Sequence, residues 1–142
     1  MPSVSAVQAE IEDRLKRHFD ALSRGDAEAA IQLFASDAIV RPANIEPLRG
    51  VTALREFFER TFAAMALGGS TFFTEELYLY ESQAFHFGTY EFRVARPTGE
   101  AAAQKGSFAI VWKRQRDGTW RYHRGLMNSS MPTPEWGTRS DG

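Results

Sequence analysis

The sequence predicts a single α+β domain in which a bent antiparallel sheet wraps around a long N-terminal helix, with three helices in all. Three observations carry this. Apolar residues recur at helical spacing in three segments before residue 68. After Gly68-Gly69 the period changes to two. Near the end, two alternating runs are joined through Asp117-Gly118. Helices segregated from a run of antiparallel strands form an α+β layer, and a strongly bent sheet around a long helix encloses a cone-shaped space.

The first helix spans residues 4 to 24. Val4, Val7, Ile11, Leu15, Phe19 and Leu22 fall at three- and four-residue steps, with Ser3 or Ser5 as cap and Gly25 at the left-handed stop. Asp26 caps a second, short helix running to about Ala35. Ala38-Ile39-Val40 is a short strand ended by Pro42, and residues 42 to 50 read as a loop. Thr52 opens a third helix to about Leu67, whose apolar face is Leu54, Phe57, Phe58, Phe62 and Met65.

Strands follow over 71 to 80 and 83 to 95. Phe85 and Phe87 lie on one parity and Tyr90, Phe92 and Val94 on the other, which predicts a bulge or bend at Gly88. A polar loop over 96 to 104 leads to the last hairpin. There Phe108, Ile110 and Trp112 alternate, and beyond the turn Trp120 and Tyr122 oppose His123, Gly125 and Met127. Asp-Gly predicts a type I′ turn, which needs positive φ at both central residues. The domain ends near residue 130. Residues 131 to 142 read as a tail, with Trp136 as a potential anchor.

The 142 residues suit one domain with a sizeable core, and eleven Phe suggest a wide core or an apolar cavity. A net charge of −1 argues against a nucleic-acid or anionic-membrane partner. The absence of Cys excludes disulfides and thiolate chemistry. With no apolar run of membrane length and no signal-peptide pattern at the N-terminus, a cytoplasmic location is the default expectation. His18, His86 and His123 are too far apart in sequence to form a local metal motif, so neither metal nor other cofactor is expected.

The chain resembles the SnoaL-like, ketosteroid-isomerase-like branch of the superfamily that includes nuclear transport factor two. The landmarks are Gly25 to Ala38 (G-D-A-E-A-A-I-Q-L-F-A-S-D-A), Gly50 before A-L-R-E-F-F, and the segment from Lys105 to Ser130. The resemblance implies the cone-shaped fold, a homodimer through the outer sheet face, and a pocket for a small apolar or aromatic ligand. One fold here hosts many activities. Isomerase chemistry of the ketosteroid type needs a carboxylate base and two oxyanion donors. By the resemblance these fall at Pro42, His18 and Ile110, and an acid common late in the last strand falls at Gly125. None of those side chains is kept.

Histidine is the remaining acid–base resource. The expected catalytic candidates are His18, at the border of the first helix's apolar face, and His123, on the parity assigned to the cavity. Phe57, Phe62, Phe108, Ile110, Trp112 and Met127 are the expected apolar lining, with Asn128 near the mouth. The alternatives are a closed core filled by the same rings, and histidines that serve only as satisfied polar groups. Trp120 and Tyr122 are expected on the outer, dimer-forming face.

Overall fold

The computed structural model describes residues 3–131; residues 132–142 of the expected tail, Trp136 among them, lie outside the described residues. Helix α1 spans Val4–Arg24. The Ser3 side chain accepts from the Ala6 amide at 3.1 Å, and Gly25, with φ 67°, ends the helix. The buried stripe is Val7, Ile11, Leu15, His18 and Ala21.

Helix α2 (Ala27–Ala30) starts at Asp26, whose carboxylate accepts from the Ala29 amide, and passes into a 3-10 turn at Ile31–Leu33. It is shorter than expected. Phe34, which is buried, begins strand β1 (Phe34–Arg41). Leu48–Arg49, inside the expected loop, forms β2 against β1. Helix α3 (Gly50–Ala64) ends before Met65. The next strand, β3 (Ala66–Tyr80), begins ahead of Gly68-Gly69, so the glycine pair does not stop the helix but sits beside an irregularity in the strand.

Strands β4 (Gln83–Ala95), β5 (Ala101–Arg114) and β6 (Trp120–Met127) complete an open six-stranded sheet in the order β2-β1-β6-β5-β4-β3. The sheet is mixed rather than wholly antiparallel, since β1 runs parallel to β6. Between β5 and β6 only Gly118 has positive φ, at 88°. Asp117 instead accepts from the Thr119 amide and hydroxyl, so the turn is an Asx-type turn and not type I′.

At Gly88 the strand does not change parity. Ala84, His86, Gly88 and Tyr90 all face inward, Phe87 faces outward, and the extra residue falls on the neighbouring β3 between Thr74 and Glu76. Among the described residues no helix is long and apolar enough to cross a membrane.

The helices and the inner sheet face enclose one core. It runs from Ile11 and Leu15 of α1 through Leu54 and Phe58 of α3 to Ile110 and Trp112 of β5. Fully burying side chains of this size stabilises by about 1.5–3 kcal/mol each.

Candidate functional site

Aromatic rings form a continuous path through the cone. Phe72 meets Phe19, which neighbours His18 on α1. The His18 ring lies 5.4 Å from Phe34 and 5.7 Å from Phe58. Phe34 leads to Tyr122 at 5.0 Å, Tyr122 to Trp112, and Trp112 to His86. On the helical side, Phe58 packs against Phe57 and Phe62.

His18 is fixed by the end of helix α2. Its Nδ1 stands 2.9 Å from the carbonyl oxygen of Ala30. A carbonyl only accepts, so Nδ1 carries the proton and Nε2 offers a lone pair. Burial lowers the imidazole to a pKa of about 4, with the Ala30 hydrogen bond partly opposing. Nε2 has no protein partner among the described residues.

His86 differs. Trp112 Nε1–H donates to its Nδ1 at 3.1 Å, which leaves the proton on Nε2, directed at Thr74 Oγ1 at 2.8 Å. Both nitrogens are satisfied, and burial again lowers the pKa to about 4. This is a structural histidine inside the sheet–helix core.

His123 is not inside the cone. Val111 pairs with Arg124 and Trp112 with Tyr122, so His123 is the extra residue of a bulge. On the other side of β6, Phe34 pairs with Tyr122 and Ile39 with Arg124, so β1 is irregular at the same level. His123 turns away from the interior to Asp37, at 3.3 Å, and Arg124 donates to the Asp37 carbonyl. Partial desolvation acts to raise the Asp37 carboxyl. The hydrogen bond and charge of His123, with Arg124, outweigh it and hold the carboxyl below its ordinary value.

The bulge also overturns the expected outer position of Trp120 and Tyr122, which are 2% and 7% exposed and pack in the core. Strict alternation counts through a strand, whereas one extra residue returns both Tyr122 and Gly125 to the same face.

Of the expected lining, Phe108, Ile110 and Trp112 are buried in the core, and Phe57, Phe62 and Met127 are partly buried against it. Asn128 is exposed; its side chain accepts from the Ser107 amide, and its carbonyl accepts from the Tyr90 hydroxyl. Its contacts are those of a strand-end tie. His18 and the Phe57–Phe62 rings are thus joined through Phe58, while His123 and Asn128 stand apart from them.

Two clefts open elsewhere. One, of about 350 Å³, includes Thr71, Phe73, Glu91, Lys105 and Ser130, and reaches Phe72 and Tyr90 from the β3–β5 side. The other, of about 570 Å³, lies where β1 and β6 end, between Arg41, Pro42, Asn44, Met127 and Asn128. Neither includes His18, Phe57, Phe62, Phe108, Ile110 or Trp112. No three His, Asp or Glu side chains converge as a metal site among the described residues.

The polar residue that sequence reasoning missed is Tyr122. Gly125 was the available signal. A glycine within a strand marks a close approach, and a Cβ there would collide with the Tyr122 hydroxyl.

The family described as SnoaL-like domain matches residues 15–123. No curated protein matches the sequence. Among solved structures, a nuclear transport factor 2 (NTF2-like) superfamily protein from Salmonella enterica aligns with a TM-score of 0.78 at 18% identity, covering 96% of this chain and 100% of that one. A ketosteroid isomerase-like protein from Erwinia carotovora aligns with 0.77 at 18%, covering 87% and 96%. A protein from Catenulispora acidiphila in complex with S-DNPA aligns with 0.74 at 18%, covering 88% and 94%. At these identities the likeness establishes the shared cone fold.

Proposed function

The chain belongs to the SnoaL-like domain family, and from that membership we propose that it binds a small, largely apolar molecule inside the cone, between α1, α3 and the inner sheet face. One observation carries the reading: the His18 ring packs among Phe19, Phe34 and Phe58, and its Nε2 has no protein partner among the described residues. A polar atom left unpaired in such surroundings costs free energy unless something meets it. The partly buried Phe57, Phe62 and Phe72 extend the apolar surface from that point. The complex of the Catenulispora relative supports a small-molecule role by analogy of fold.

Binding is favoured over acid–base catalysis by the same residue. A base with a pKa of about 4 is a weak proton acceptor at neutral pH, though still a good hydrogen-bond acceptor. With His123 directed outward and Ile110 buried as an apolar side chain, the proposal includes no ketosteroid-type isomerisation.

The experiment is equilibrium titration of the full chain with benzene and naphthalene, read by tryptophan fluorescence and calorimetry. Saturable, stoichiometric binding that is weakened by Phe58→Ala is expected. A flat titration with both probes would remove this reading.

For assembly the proposal is a homodimer through the outer sheet face. Phe73, Tyr78, Phe87 and Leu126 are exposed there, with Leu126, Ala109 and Phe87 aligned across β6, β5 and β4. A second copy covers such a face in one symmetric interface.

A further inference from the structure

We propose that the interior site is a two-point hydrogen-bonding site for a small, neutral, planar molecule that carries both a hydroxyl and a carbonyl group, with His18 Nε2 accepting from the hydroxyl and the Tyr122 phenol donating to the carbonyl. The inference rests on the interior-binding reading above and adds the second residue and the ligand class.

The Tyr122 side chain is held in place by three neighbours. Its ring packs on Phe34 and Trp112, and its hydroxyl lies over Gly125, which pairs with Val40 on one side and Ile110 on the other. The missing Cβ at Gly125 is what admits the hydroxyl. Tyr122 is 7% exposed and His18 is 8% exposed, so both side chains are more than nine-tenths buried. Neither the phenol nor Nε2 has a protein partner among the described residues.

Among the described residues the fully enclosed side-chain atoms without a hydrogen bond are Arg14 Nε and Ser70 Oγ, and neither the Tyr122 phenol nor His18 Nε2 is one of them, so both retain some accessible surface. Two side chains that both pack on the Phe34 ring therefore each carry an accessible polar atom without a protein group to bond.

Their chemistry is complementary. The Ala30 carbonyl holds the His18 proton on Nδ1, which makes Nε2 an acceptor. Burial pushes the Tyr122 phenol up, so it stays protonated and able to donate. A planar ring suits the surrounding aromatic faces of Phe34, Phe58 and Trp112. The rings that pack on these two residues (Phe34, Phe58 and Trp112) carry no charge, so an ionised ligand would meet no counter-charge from them, which selects a neutral one.

The test uses the full chain and four probes: para-hydroxyacetophenone, acetophenone, phenol and benzene. Tyr122→Phe removes the hydroxyl alone. It is expected to weaken para-hydroxyacetophenone and acetophenone by about tenfold while leaving phenol and benzene unchanged. His18→Phe is expected to weaken the two hydroxylated probes and spare the other two. Should His18→Phe fail to fold, the four-probe comparison on the wild type and Tyr122→Phe still decides. Equal affinity of all four probes for the wild type overturns the two-point site but leaves interior binding standing. So does equal weakening of all four by Tyr122→Phe, which would mark a packing role. No binding of any probe, benzene included, overturns both.

Discussion

Trp112 Nε1 and His86 Nδ1 lie 3.1 Å apart in the core, an indole donor meeting an imidazole acceptor. Thr74 Oγ1 holds the other imidazole nitrogen at 2.8 Å. The trio ties β3, β4 and β5 together beneath the helices. His86→Leu leaves the indole N–H and the threonine hydroxyl without their partner. It is expected to cost about 3 kcal/mol of stability, measured as a lower urea midpoint with an unchanged m-value. An unaltered midpoint would show that the bonds contribute nothing net.

Acidification should destabilise the fold over a defined window. Burial lowers both His18 and His86 from 6.5 to about 4, with the Ala30 bond and the Glu12 charge respectively opposing. Between these values the unfolded chain binds protons that the folded chain does not. Stability is therefore complete above pH 6.5 and falls as pH drops toward 4, by at most about 3 kcal/mol per imidazole. Denaturant midpoints at pH 7 and pH 4.5 read the loss, and His86→Leu should show a smaller drop than the wild type. Equal drops in both proteins would assign the effect to other groups.

Gly88→Ala tests a contact that no other residue type tolerates. The new Cβ would run into the Phe73 carbonyl oxygen and lie 2.8 Å from Phe108 Cζ. Backbone on one side and a buried ring on the other leave no room to adjust. A loss of roughly 2–3 kcal/mol is expected, read by thermal and urea unfolding. A neutral result would mean that β3 moves freely at its bulge.

Phe87→Glu addresses the assembly. The ring is 37% exposed beside Tyr78 on the outer face, so a carboxylate there is solvated in a monomer. In a symmetric dimer it would be buried without a partner. Sedimentation should show the wild type at twice 16.0 kDa and the variant at 16.0 kDa. A monomeric wild type at micromolar concentration would refute the dimer.

Helix α1, with its Ser3 cap and Gly25 stop, and the extent of strand β4, though not its facing around Gly88, were legible in the sequence because each is governed by local rules: helical spacing, caps and turn residues. His18 was legible for the same reason, since it belongs to the helix's apolar stripe. His123 and Tyr122 were not. Their faces depend on one extra residue in β6, and that residue is selected by pairing with β1 and β5 rather than by anything local. Likewise Phe85 and Phe87 are apolar yet face outward, so hydrophobicity alone assigned them no side. The parallel β1–β6 pair lay beyond a reading that followed hairpins from one strand to the next.

That parallel pair also bears on the order in which the chain folds. Phe34 meets Tyr122 across 88 positions of sequence. Closing a loop of that length costs about 4 kcal/mol of chain entropy before any contact repays it, against about 1.6 kcal/mol for the short turn joining β4 and β5. The β3–β4–β5–β6 meander is therefore the natural early structure, and docking of β1 onto β6 is the late step that brings Phe34 between His18 and Tyr122. The proposed interior site would then be assembled only as folding completes. Pulsed amide exchange during refolding would show this as protection at Val111 before protection at Val40.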